Sequence, residues 1–374
     1  MSALLVGLLL LPSTLLLAQS TSIPAEHPSL YKGVRPLGMG NAFIAMPGSD
    51  ENAAFYNPAA INDYKRLGMR IVSPTLDFST SIIGLVNDTL DLSDAIDAAT
   101  TDGAKIEEFR NFVNQHIGEF QSIALRLPIL QLQHKWFVLS TLADSRTTIS
   151  FRNRTVTNFE LSSRSDAGGL IGTAFGFWED QVQVGLNLKV LYRISVDETI
   201  TTDDITTAAK FSDVLSLNRA PGVGFDLGLK GKVPSYGQKW LEVIKPTVGF
   251  TWQDIGNTRF SGAVPDTTQS IGLGVGIHPT LGQWEFHVEN DFRELNQSVA
   301  FIRKWNIGAE VVAPKLLILR PSFRLGANQG YIAAGTGFDF RFLKLEFATY
   351  AEEAGVFSRQ RENRRIALNL SFGF

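Results

Sequence analysis

The chain closes on Arg365-Ile-Ala-Leu-Asn-Leu-Ser-Phe-Gly-Phe374. Ile366, Leu368, Leu370, Phe372 and Phe374 share one parity; Ala367, Asn369, Ser371 and Gly373 share the other. Successive side chains of a strand point to opposite faces, so this stretch presents one apolar face and one polar or small one. A soluble sheet produces the same signal in any single strand, and it is the repetition that decides. Val182, Val184, Leu186, Leu188, Val190, Tyr192 and Ile194 alternate with Gln183, Gly185, Asn187, Lys189 and Arg193. Val223 to Leu229, Ile271 to Ile277 and Trp284 to Phe292 repeat the pattern. Carried along the chain, it predicts fourteen strands, near 67–79, 120–127, 136–151, 166–178, 181–196, 220–231, 240–254, 268–278, 283–294, 301–312, 316–327, 331–342, 343–351 and 363–374. An even number of roughly ten-residue strands, apolar outward and polar inward, is the signature of an outer-membrane barrel.

The connections and tryptophans agree. If strand 1 starts on the periplasmic side, the external loops are 80–119, 152–165, 197–219, 255–267, 295–300, 328–330 and 352–362, most of them long. The periplasmic turns are mostly tight, such as Glu179-Asp180 and 279–282, although 128–135 and 232–239 are longer. Trp136, Trp178, Trp240 and Trp284 fall at periplasmic strand ends, Trp252 and Trp305 towards external ends, as aromatic belts at two interfaces require. The expected fold is all-β, a 14-stranded antiparallel transmembrane β-barrel over 65–374.

Composition narrows the function. The 374 residues carry only 19% charged side chains, a net charge of −3, 33 glycines, 26 phenylalanines and no cysteine. Nucleic-acid binding lacks its basic face, and disulfide frameworks, thiolate metal sites and cysteine nucleophiles are excluded. Residues 1–20 read as a signal peptide: Ala3 to Ala18 is apolar, broken by Pro12, and Ala18-Gln19-Ser20 offers a small-x-small cleavage site, though no Lys or Arg precedes it. The expected location is the bacterial outer membrane after export. Among five histidines, His287 lies between Glu285 and Glu289, but residues two apart on a strand do not share a first shell readily. No nucleophile, P-loop or metalloprotease motif accompanies them, so no enzyme, metal or cofactor is expected.

Ahead of strand 1, residues 21–64 are Gly-rich, compact and too short to fold alone. They contain Arg35-Pro-Leu-Gly-Met-Gly-Asn-Ala-Phe43 and Gly48-Ser-Asp-Glu-Asn-Ala-Ala-Phe-Tyr-Asn-Pro-Ala-Ala-Ile61. Asp50 can cap a helical turn that Pro58 ends, and Gly38 and Gly40 permit close approach or positive φ. The barrel lumen is the natural host. Gly38, Gly40, Asp50, Tyr56, Asn57, Pro58 and Ala59 together resemble the amino-terminal hatch of the outer-membrane long-chain fatty-acid transporter (FadL-like) superfamily. The motif resemblance covers 35–61. It implies a fourteen-stranded barrel with a lumenal plug, moving hydrophobic or amphiphilic small molecules by diffusion. PorV-type and TraF-like barrels share the hatch, so the alternative is a secretion-associated barrel that docks exported proteins. The resemblance also implies that Phe374 is a signal to the barrel assembly machinery.

Several side chains could carry transport. The 80–119 loop places Phe109, Phe112 and Val113 on one helical face, and the 197–219 loop offers Phe211 and Leu215; these are candidates for capturing an apolar ligand. Pro74 and the polar run Asp144, Ser145 and Arg146 suggest a kink in the wall for lateral release into lipid. Glu285, Glu289, Asp291, Arg293, Glu310, Arg320, Arg324, Asp339, Arg341, Lys344 and Glu346 face the lumen by parity, and cross-strand pairs among them should hold the hatch. Arg359, Arg361, Arg364 and Arg365 near the last loop could meet lipopolysaccharide phosphates.

Overall fold

The computed structural model describes residues 31–48, 50–151, 158–207, 215–355 and 361–373. One antiparallel sheet closes on itself. Its wall strands are β1 (Gly68–Val72, resuming as Thr75–Ser79), β2 (Phe120–Arg126, resuming as Gln131–His134), β3 (Phe137–Ser150), β4 (Asn158–Phe177), β5 (Val182–Thr201), β6 (Asn218–Lys232) and β7 (Thr247–Gln253). They continue as β8 (Ser270–Ile277), β9 (Trp284–Phe292), β10 (Trp305–Val312), β11 (Arg320–Asn328), β12 (Tyr331–Asp339), β13 (Leu343–Glu353) and β14 (Glu362–Gly373). Each pairs with its sequence neighbour, and β14 returns to β1 through Arg365↔Ser79 to Asn369↔Thr75. Two-residue segments, Arg259–Phe260 and Thr280–Leu281, extend the ladder at its rims. Fourteen wall strands and no free edge satisfy the backbone inside lipid.

The alternation resolves as expected. On β5, Gln183, Asn187, Lys189 and Arg193 are buried inward, while Leu186, Val190 and Tyr192 face out. Phe225 on β6 and Phe323 and Leu325 on β11 continue the outward apolar surface, which in water would be an untenable patch and in a bilayer is the lipid contact. Trp136, Trp178, Trp240 and Trp284 lie at the turn end of the wall, Trp252 and Trp305 at the loop end.

Several strand boundaries differ from expectation; residues 301–304, expected as strand, form a short helix, so β10 begins at Trp305. β4 and β5 stay paired from Phe177↔Val182 to Asn158↔Thr201, so much of the expected loops 152–165 and 197–219 is strand. There the outward row turns to Ser163 and Ser165, and without a lipid-facing apolar row the alternation signal vanishes although the ladder continues. Residues 240–244, expected as strand, belong to the helix Lys239–Ile244. Lys245 at φ 45° and Pro246 end that helix, and β7 begins only at Thr247. Residues 316–319 form a tight hairpin with Leu317 at φ 56°, so β11 starts at Arg320. The short helices α1 (Val34–Gly38) and α2 (Ala53–Tyr56) precede the wall, and at its loop end α3 (Ile82–Ala98) and α4 (Asp102–Gln115) pack against each other over 80–119.

Candidate functional site

The strand interiors present a polar, charged inner face, and residues 31–64 lie against it. This segment folds into the short helix Val34–Gly38, the turn Ala53–Tyr56 and the 3-10 helix Pro58–Asp63. Nearly every side chain in it is buried. Asn57 caps the 3-10 helix through Ala59 N–H (3.0 Å) and uses its amide to donate to Ile44 O (2.9 Å) and Leu229 O on β6 (3.1 Å). Asp50 accepts from Asn52 N–H at 2.6 Å, and the Tyr56 hydroxyl donates to Asn41 Oδ1 at 2.6 Å. Burial pushes the Tyr56 phenol up to about 12, so it remains a donor.

The hydrogen bonds to this segment come from all round the wall. Asp291 on β9 accepts from Phe43 N–H (2.6 Å) and Ile44 N–H (2.9 Å). Asn187 on β5 donates to Ala54 O, Thr247 on β7 to Ala45 O, Asn306 on β10 to Gly40 O, and Gln131 on β2 to Glu51 O, all within 2.8–3.1 Å. A segment held from such opposed strands occupies the lumen. Gly38 and Gly40 show why small residues are needed. A Cβ on Gly38 would sit 3.1 Å from Gly335 Cα; Gly40 has φ +62°, and its Cβ would sit 2.5 Å from both Ala327 O and Ile307 O.

Charge organises the turn end of this seat. Arg35 donates to Glu310 (Nε–Oε1 3.0 Å) and to Asp50 (2.9 Å). Arg324 bridges Glu310 (2.7 Å) and Glu346 (2.9 Å), and Lys344 reaches Glu346 (3.1 Å), Asp50 (3.2 Å) and Glu51 (3.4 Å). At the other end of the segment Asp63 meets Lys230, Lys232 (2.6 Å) and Gln183 (2.7 Å). Arg35, Asp50, Glu310, Arg320, Arg324 and Lys344 line a polar recess of about 130 Å³. The expected cross-strand pairs are present, with one correction: Arg341 lies in the turn after β12, at φ 80° and stacked on Phe342, because the hairpin reverses there and takes it out of the inward row. The segment's own Arg35 and Asp63 were not singled out from the sequence. Their signal was one cation and one acid in a stretch read for its glycines, Asp50 and the Asn57-Pro58 turn.

These ion pairs set a pH dependence. Burial alone would raise Asp50 and Asp63, but Lys344 and Arg35 on the first, and Lys230 and Lys232 on the second, outweigh it and hold both carboxyls well below the usual range. A carboxyl depressed in the docked state contributes docking free energy that is complete above its free value, about 4, and is lost as pH falls through the depressed one. Docking should therefore be unchanged between pH 8 and about 5 and weaken progressively below about 4. Conductance of the inserted barrel at pH 7, 5 and 3 measures this; a rise already complete at pH 5 would contradict it.

The remaining candidates are placed as follows. Phe109, Phe112 and Val113 are buried with Leu85 and Phe151 in a closed cluster under α3 and α4, so no open groove exposes them. Leu215 is half-buried ahead of β6, and Phe211 falls outside the described residues, as do Phe374 and residues 1–20. β1 does break at Ser73–Pro74, and β2 breaks opposite it around Pro128, where the β2–β3 register slips by one residue. Ser73 N–H still reaches Pro128 O at 3.0 Å, and Leu370 N–H reaches Pro74 O at 3.1 Å. Asp144, Ser145 and Arg146 are regular ladder members, paired to Arg126, Leu125 and Ala124 on β2 and to Asp166, Ser165 and Arg164 on β4. The irregularity therefore centres on Pro74 and Pro128, the latter legible only as a proline inside an expected turn. Arg365, grouped by sequence with the loop arginines, points inward and pairs with Asp77 at 2.8 Å, since it shares the parity of Ala367 and Asn369.

His278 and His287 approach at Nδ1···Nδ1 3.1 Å, with Glu289 3.3 Å from His278 Nε2. Among the described residues no group of three ligands suits a metal ion.

No family model matches the chain, and no curated protein does. Solved structures do. A TodX monoaromatic hydrocarbon channel carrying the deltaS2 mutation aligns with TM-score 0.52 and 10% identity over 91% of this chain and 98% of its own. The deltaS2S3 mutant of that channel gives 0.51 and 11% over the same shares. The P. putida toluene transporter TodX aligns at 0.41 and 11%, over 86% and 94%. Over nine-tenths of its length the chain thus has the fold of the two mutant hydrocarbon channels, the fold implied by its hatch motif.

Proposed function

We propose that the protein conducts hydrophobic or amphiphilic small molecules across the bacterial outer membrane by diffusion, through a barrel that residues 31–64 close as a hatch. The observation that carries this is the seat itself. A segment lying in the lumen and fastened from opposed strands obstructs the water path that ions or sugars would need, so a polar pore fits poorly. An apolar solute needs only a transient rearrangement beside the hatch and an outlet. The broken strands at Pro74 and Pro128 supply a candidate outlet, since missing ladder bonds make that wall the easiest to part. The hydrocarbon-channel fold supports the class of solute, and the fatty-acid specificity implied by the hatch motif is the finer part of this reading.

Labelled oleate and toluene uptake would be compared in a Gram-negative host lacking its own fatty-acid transporter. The host would express the intact chain or one lacking residues 24–62, with heat-modifiable gel mobility reporting insertion. Uptake of either solute well above the empty host is expected for the intact chain. An inserted barrel that takes up neither would overturn this reading in favour of a barrel that docks exported proteins.

A further inference from the structure

The turn end of the barrel carries a feature that transport does not use. Four of its connections set an exposed cation beside an exposed apolar side chain. Lys65 and Arg66 precede Leu67; Lys239 and Lys245 flank Trp240 and Val243; Lys315 precedes Leu316, Leu317 and Ile318; Arg341 lies on the ring of Phe342 at 5.1 Å. Leu317 is 95% exposed at its hairpin tip. None of these six cations makes an ion pair among the described residues, whereas the lumenal cations are nearly all paired. Lys245 has only a hydroxyl partner, Thr280. At the loop end, α3 and α4 add a row of exposed carboxylates, Asp88, Asp91, Asp94, Glu107 and Glu108, beside the exposed Arg110.

We infer that this rim is a docking collar for anionic glycerophospholipid headgroups of the leaflet facing the turn end. The assignment rests on the membrane-spanning reading and not on the solute. Two observations choose lipid over a soluble partner. The apolar tips adjoin the lipid-facing rows: Phe323 and Leu325 face outward on β11, and the exposed hairpin residues Leu316, Leu317 and Ile318 lie immediately before that strand begins at Arg320. Each cation sits one or two residues from a tip, where a long side chain lays its stem on apolar surface and lifts its charge to phosphate depth. Unpaired cations immediately beyond a hydrophobic belt attract anionic lipid, at roughly fivefold in affinity per charge.

The test uses the full-length mature barrel in nanodiscs of phosphatidylcholine with one quarter phosphatidylglycerol. Lipid retained by the protein after detergent extraction would be counted by mass spectrometry at 0.05 and 0.5 M salt. Retained phosphatidylglycerol should be enriched several-fold over bulk at low salt and fall towards bulk at high salt. The K239Q/K245Q/K315Q/R341Q variant should lose most of the enrichment while keeping heat-modifiable mobility. Should that variant fail to insert, the salt dependence of the wild type and of Lys315→Gln alone decides. Retention at the bulk ratio by the wild type, or enrichment unchanged in an inserted variant, overturns the collar and leaves the rim to a soluble protein partner. Loss of solute uptake has no bearing on either readout.

Discussion

Arg35→Ala is expected to open the barrel without unfolding its wall. Arg35 belongs to the lumenal segment, and its partners Glu310 and Asp50 lie 1% and 3% exposed at their side chains. Removing one partner of a buried ion pair leaves charge uncompensated, at a cost of about 3–5 kcal/mol. That corresponds to a shift of roughly 150- to 4,000-fold in the ratio of docked to undocked segment. The cost falls on docking, because Glu310 keeps Arg324 at 2.7 Å and the ladders around β10 and β11 do not involve Arg35. Planar-bilayer conductance should rise from near zero to frequent openings, with heat-modifiable mobility retained. Arg35→Lys should fall between, since an ammonium keeps the charge and loses the fork onto Glu310. Combining Arg35→Ala with Glu310→Gln should recover part of the closure, because the stranded charge is removed with its partner. A folded Arg35→Ala barrel as tight as the wild type would mean that the ion network does not hold the segment.

The barrel was legible because lipid enforces a rule at every other residue. β5 could be read over 181–196, and the reading stopped near the height where the outward row ceased to be apolar, although its pairing to β4 runs on to Thr201. The lumenal segment was legible in part for a different reason. Its glycines and Asn57-Pro58 announce tight turns, but the strands that receive it are separated from it by up to 320 residues, and no local pattern encodes such pairs. The inward charges of β9 to β13 could be listed by parity, whereas which of them would meet Arg35 depends on barrel closure. The loop helices illustrate the converse. An apolar helical face is the same signal for a ligand groove and for packing, and Phe109, Phe112 and Val113 pack on Leu85 and Phe151. The kink was sought at Pro74 and where polar residues interrupt an apolar row, at Asp144 to Arg146. Hydrogen bonding, unlike lipid contact, is indifferent to side-chain polarity, so the ladder there is intact and fails only near the prolines.

Adding one methyl group at Gly185 and one at Gly308 should unseat the segment more completely than any single charge change. Gly308 lies inward on β10, where a Cβ would fall 2.1 Å from Met39 O; Gly185 lies inward on β5, where it would fall 2.3 Å from Pro58 C and O. Contacts this short are with backbone, so no rotamer change relieves them, and the segment itself has to move. Neither change disturbs the lipid face, and alanine suits a strand at least as well as glycine. β5 and β10 lie far apart around the fourteen-strand wall, one under the Pro58 end of the segment and the other under the Met39 end. Gly308→Ala or Gly185→Ala alone should therefore loosen one end and give partial, flickering conductance. The double variant should approach the steady conductance of the 24–62 deletion. Gly169→Ala is the matched control: its Cβ would meet only Ser140 O at an ordinary 3.4 Å, so closure should be unaffected. If the double variant inserts and stays closed, the segment can slide on its seat, and its release would then depend on charge alone, which is the outcome that Arg35→Ala measures independently.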